Sequence, residues 1–177
     1  MRLSPHRVNL VYVSSAWSLL ELLIVLALLA IVASIASPQL YRSWQLQSLS
    51  DERQRLVQEI RFARLTSLQK RAKVSVCWSQ ACGSIKGFLI YLDANQDGLW
   101  QDSEIALSQW QINQSLSFSF NRGQQISFNS AGNTAQSGTM VLCVANASAS
   151  AINNQVLGYA LVLSSSGRLR EQTTPCL

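Results

Sequence analysis

The sequence predicts an α+β protein, with one long N-terminal helix followed by an antiparallel β-sheet. Two observations predict it. A strongly apolar stretch, Trp17–Ala36, leads into a second segment whose apolar residues recur every three or four positions as far as Lys70. From Val74 onward the pattern changes to short β-favouring runs separated by glycine, asparagine and serine.

The first element begins at Trp17. Trp17–Ala36 holds 17 apolar residues among 20 and one charge, Glu21. A helix of that length covers about 30 Å, the thickness of one hydrocarbon core. The flank before it carries Arg2, His6 and Arg7 and no acid, which predicts that the N-terminus stays cytoplasmic and the rest crosses the membrane. The alternative is a cleaved signal peptide, with Ala33-Ser34-Ile35-Ala36-Ser37 as the small-residue site and a soluble secreted domain as product. Glu21 favours the anchor. A carboxylate inside a membrane span is costly unless a cation meets it or it snorkels to the interface.

Pro38 removes one helical hydrogen bond and predicts a kink. Beyond it, Leu46, Leu49, Leu56, Ile60, Ala63 and Ser67 form one stripe, interrupted by Arg53. The basic residues Arg53, Arg55, Arg61, Arg64, Lys70, Arg71 and Lys73 then read as a solvated face, or alternatively as a contact for DNA or lipid headgroups. The predicted strands are Val74–Trp78, Gly87–Leu92, Ile105–Trp110, Leu116–Phe120, Ile126–Asn129, Thr139–Ala145 and Tyr159–Ser164. Residues 145–155 are small and polar and predict a loop.

Composition narrows the function classes. The chain has 177 residues, 48% of them hydrophobic and only 13% charged, which excludes a disordered chain. A single apolar span excludes a polytopic membrane protein. The net charge of +5 is too small to identify a nucleic-acid binder by itself. An enzyme is not expected: His6 is the one histidine, and no nucleophile motif occurs.

The four cysteines, Cys77, Cys82, Cys143 and Cys176, fall in the domain predicted to lie on the far, non-cytoplasmic side of the membrane, where disulfides persist. The favoured pairs are Cys77–Cys82, closing a tight turn, and Cys143–Cys176, pinning the chain end. Zinc is the alternative, with poor ligand spacing. The run Asp93-Ala-Asn95-Gln-Asp97-Gly98 to Glu104 matches the calcium-loop pattern D-x-[DN]-x-[DN]-G-x5-E, making Asp93, Asn95, Asp97 and Glu104 candidate calcium ligands. Strands rather than helices flank it, and these residue types are also ordinary turn formers. Near the C-terminus, Gly167-Arg168-Leu169-Arg170 would place two arginines on one face of an extended segment, about 7 Å apart, a spacing that suits successive phosphates. A solvated arginine pair is the plainer reading, and Glu171 beside it works against an anion.

The block Ala16-Trp17-Ser18-Leu19-Leu20-Glu21 resembles the prepilin motif G-F-T-L-I-E of type IV pilins and pseudopilins, with Ala16, Trp17 and Ser18 in place of Gly, Phe and Thr. The resemblance implies cleavage between Ala16 and Trp17 by prepilin peptidase and N-methylation of Trp17. It implies that Glu21, fifth in the processed chain, pairs with the N-terminal amine of a neighbouring subunit during assembly. Gly87-Phe88-Leu89-Ile90-Tyr91-Leu92-Asp93 and Ser164-Ser165-Ser166-Gly167-Arg168-Leu169-Arg170 resemble the G-W-x-V-F-x-D and S-x-S-G-R-x-R segments of the FimT/GspH minor pilins and pseudopilins.

That family implies a pilin-like fold with residues 1–16 as leader, 17–37 as transmembrane and filament-core helix, 38–72 as amphipathic continuation and 73–177 as periplasmic β domain. It implies an inner-membrane protein that joins other pilins or pseudopilins, and a plain hairpin turn at Asp93–Glu104. In some FimT-type members the G-R-x-R segment binds DNA for natural transformation, which makes Gly167, Arg168 and Arg170 candidate contacts to double-stranded DNA without sequence preference. The alternative within the family is a GspH-like structural tip subunit of a type II secretion pseudopilus.

Overall fold

A computed structural model describes residues 19–83, 87–145 and 157–176. Its elements are one long helix, α1 (Leu19–Lys70), a short 3-10 turn (Ser79–Cys82) and eight strands. The strands are β1 (Val74–Trp78), β2 (Phe88–Leu92), β3 (Ile105–Trp110), β4 (Leu116–Phe120), β5 (Gln125–Phe128), β6 (Gly138–Val144), β7 (Leu157–Leu163) and β8 (Leu169–Pro175). The chain divides into two units, one ending at Arg42 and one beginning at Ser43.

In the first unit the backbone is helical from Leu19 and stays helical through Pro38. Every described side chain from Leu19 to Ser37 is exposed, and the helix is long and apolar enough to cross a membrane. Glu21 lies near the start of the described part of this helix.

In the second unit α1 buries Leu49, Leu56, Val57, Ile60, Ala63, Thr66 and Ser67. Full burial of a Leu or Ile side chain contributes about 1.5–3 kcal/mol, so this stripe dominates the helix's attachment. Leu46, predicted to belong to the stripe, is exposed instead. The helix ends in a Schellman turn. Arg71 adopts a left-handed conformation (φ 48°), and the Ala72 N–H donates to the Ser67 carbonyl at 3.3 Å.

The predicted single sheet is in fact two antiparallel four-stranded sheets, ordered β3-β2-β1-β5 and β4-β6-β7-β8. Both contribute to one core with the helix. Val74, Val76, Phe88, Ile90, Ile126 and Phe128 enter from the first sheet, and Met140, Leu161 and Leu163 from the second. Rings join the sheets where they meet. Trp78 stacks on Phe88 (5.5 Å) and Phe88 on Trp110 (4.7 Å), while Phe118 meets Trp78 edge-on at 5.3 Å. Period-two alternation sends Cys77, Leu89 and Tyr91 to the other face of the first sheet, where they form a smaller cluster with Cys82.

Both expected disulfides are present, Cys77–Cys82 and Cys143–Cys176, and no described cysteine is free. The second ties the end of β8 to β6, closing a separation of 33 residues against 5 for the first. Loop-closure entropy therefore predicts that Cys143→Ser/Cys176→Ser costs about 3–4 kcal/mol and Cys77→Ser/Cys82→Ser about 2 kcal/mol. Urea denaturation of the two double variants reads that order directly.

Candidate functional site

The site is built on the β7–β8 hairpin. Leu163 pairs with Leu169 and Val162 with Arg170, leaving Ser165-Ser166-Gly167 at the tip. The Gly167 N–H donates to the Ser164 carbonyl at 2.9 Å, and Ser164 Oγ accepts the Arg168 N–H at 3.1 Å. Gly167 supplies the left-handed residue such a loop needs (φ 73°). It is also buried. A Cβ there would stand 2.5 Å from both Arg64 Nε and the Gly132 carbonyl oxygen. Gly167 therefore shapes the tip and lets Arg64 lie over it, rather than offering a contact surface.

β8 is an edge strand of the second sheet. Leu169 packs against the core, so Arg168 and Arg170 face away from it, and both are exposed. Neither makes a salt bridge among the described residues. Glu171 does not oppose them as expected. It points to the helix side of β8 and forms an ion pair with Arg53. The Arg53 guanidinium also lies 4.7 Å from the centre of the Tyr159 ring. The residue that interrupts the apolar stripe is thus a contact between helix and sheet, not part of a solvated face.

Arg64 is the second correction to that face. Its Nε donates to the Gly132 carbonyl at 3.0 Å, which joins α1 to the 129–133 turn. Arg61 is exposed on the helix nearby. Arg61, Arg64, Leu65, Gly167, Arg168 and Leu169 line one cleft of about 360 Å³. The i,i+3 spacing of Arg61 and Arg64 was visible in the sequence, but its meeting with β8 depends on tertiary packing.

The acidic turn has a different chemistry from the one expected. Asp93 is buried, and its Oδ2 accepts from Ser75 Oγ (2.9 Å) and the Gly98 N–H (3.0 Å) and pairs with Lys73 Nζ at 2.8 Å. Lys73 also donates to the Gln96 carbonyl. Its ammonium is the cation of this turn. Asp97 accepts the Leu99 N–H, Asn95 Oδ1 accepts the Asp97 N–H, and the two Glu104 oxygens accept the Ala94 and Gln101 N–H groups. These oxygens brace the backbone of the turn. Among the described residues no group of three or more His, Cys, Asp or Glu could hold an ion. Of the candidate calcium ligands Asp93, Asn95, Asp97 and Glu104, the buried Asp93 is neutralised by a lysine. Burial on this face also pushes the Tyr91 hydroxyl above the usual phenol range.

Ala16 and Trp17 lie outside the described residues. Glu21 lies on the exposed apolar part of α1.

Removing the Lys73 charge tests the account of the turn. Lys73→Met leaves Asp93 buried without its cation and should destabilise the domain by about 2 kcal/mol in urea denaturation. Calcium or EDTA should leave the wild-type melting temperature unchanged. A calcium-dependent rise would restore the metal reading.

Residues 52–167 match the family model described as Type II transport protein GspH, more than half of the chain. No curated protein matches this sequence. Among solved structures, the type IV minor pilin FimU of Pseudomonas aeruginosa is similar in fold. The TM-score is 0.53 at 16% identity, with 71% of this chain and 89% of that chain covered. A second crystal form of FimU aligns with a TM-score of 0.46 at 17% identity, covering 71% and 91%. A long N-terminal helix, antiparallel sheets and the family match together establish that this chain belongs to the GspH family, the FimT/GspH group of minor pilins and pseudopilins.

Proposed function

We propose that this chain is a FimT-like minor type IV pilin. Prepilin peptidase cleaves it between Ala16 and Trp17, and Trp17 becomes the N-methylated terminus. The apolar part of α1 anchors it in the inner membrane with the β domain in the periplasm, and Glu21 pairs with the terminal amine of a neighbouring pilin during assembly. Arg168 and Arg170 then contact double-stranded DNA during natural transformation, and the protein has no catalytic role.

The observation that carries the DNA proposal is the pair of exposed, same-face arginines on an edge strand, with the nearby Glu171 already neutralised by Arg53. Guanidiniums repeating along a strand suit successive backbone phosphates. Binding of this kind is independent of sequence and weakens as salt rises. The GspH-like reading, a structural tip subunit of a type II secretion pseudopilus with protein partners, is favoured by the match over residues 52–167 to the type II transport protein GspH family.

Fluorescence anisotropy with a labelled duplex and the full chain in neutral detergent micelles separates the two. Arg168→Gln/Arg170→Gln should weaken binding about tenfold or more at low salt, since two charged phosphate contacts are lost. Equal binding by wild type and variant would remove the arginine pair from the site. No binding by the wild type would leave the pseudopilin reading.

A further inference from the structure

Arg61, Arg64 and Arg168 meet in one cleft, although the first two come from the helix and the third from the hairpin tip. Arg61 and Arg168 are exposed, and none of the three is ion-paired among the described residues. Two constraints hold the cleft's shape. Arg64 is fixed by its bond to the Gly132 carbonyl, and Gly167 supplies the room beneath it because any side chain would collide. Arg53 takes up Glu171, the acid that follows Arg170 on β8. The cleft therefore gathers three guanidiniums and no carboxylate among its lining residues, beside an apolar wall of Leu65 and Leu169.

Like charges held together without a counter-ion favour an incoming anion. A phosphodiester fits this lining, since its oxygens can accept from guanidinium N–H donors while the sugar lies on the leucine wall. Arg168 belongs both to the cleft and to the face that carries Arg170. We infer that the cleft is a phosphodiester subsite continuing the β8 arginine face, so that DNA is held by strand and helix together and Arg61 is a binding residue. The inference rests on the DNA reading of Arg168 and Arg170 and adds the helix to it.

The test uses the full chain in neutral detergent micelles and a labelled duplex, titrated at several salt concentrations. Arg61→Gln removes an exposed side chain and keeps the Arg64 bond. It should weaken DNA binding about five- to tenfold and make the slope of log affinity against log salt shallower by about 1. Lys70→Gln, an exposed charge on the same helix outside the cleft, should change both much less.

Equal losses in Arg61→Gln and Lys70→Gln would indicate diffuse charge and overturn the subsite. Unchanged affinity and slope in Arg61→Gln, with binding still lost in Arg168→Gln/Arg170→Gln, would also overturn it and leave the β8 reading intact. Insensitivity of binding to Arg168→Gln/Arg170→Gln would show instead that the underlying DNA reading had failed. If Arg61→Gln lowers binding to anionic phospholipid vesicles but not to DNA, the cleft serves lipid and the inference falls.

Discussion

Burial of one face of α1 against both sheets is the constraint on which the rest of the β domain depends. Leu56, Val57, Ile60 and Ala63 share one core with residues of both sheets. The core-facing sides of both sheets pack on them, and the aromatic cluster of Trp78, Phe88, Trp110 and Phe118 lies where the sheets meet. The same face sets the position of β8. Arg53 reaches Glu171 and Tyr159 from the helix, and Arg64 reaches the Gly132 carbonyl over Gly167. The Cys143–Cys176 bridge holds the far end of the strand. The hairpin that carries Arg168 and Arg170 is therefore braced at its tip, its middle and its end.

Charge placement follows from that packing. Net charge says little: losing Arg2 and Arg7 with a leader would lower it from +5 to +3. What matters is which charges are neutralised. Lys73 is taken up by Asp93 and Arg53 by Glu171, both in partly or fully buried settings where an unpaired ion is costly. Arg61, Arg168 and Arg170 have no acid within reach among the described residues. The two ion pairs thus hold a buried Asp93 and an edge-strand Glu171, while Arg61, Arg168 and Arg170 stay exposed near the β7–β8 hairpin.

The elements themselves were legible in the sequence because their signals are local. Short β-favouring runs bounded by turn residues mark β1, β3 and β4 at their observed ends, and the helical pattern ends at Lys70 as observed. The division into two sheets was not legible, because strand order depends on pairings between distant segments, such as β1 with β5. β8 was read only as a strand or extended end. Its run of Arg, Glu, Gln and Thr is what an edge strand with one solvated side can carry. Cysteine count and compartment led to both disulfides. The calcium pattern has a second physical reading. The same Asp, Asn and Gly spacing that can wrap a cation also caps backbone N–H groups in a tight turn, and Lys73, twenty residues before Asp93, brings its own charge to the carboxylate. Arg53 misled: a charge in an apolar stripe reads as a defect until the strand bearing Glu171 is placed beside it.

The helix α1 thus has two parts, an exposed apolar stretch at Leu19–Ser37 long enough to cross a membrane and the spine of the β domain from Leu49 to Ser67. The most direct test is the N-terminal peptide of the protein isolated from its native envelope, identified by mass spectrometry. The expected peptide begins at N-methylated Trp17, with the apolar helix retained. A chain beginning after Ala36, with that helix removed, would contradict this expectation.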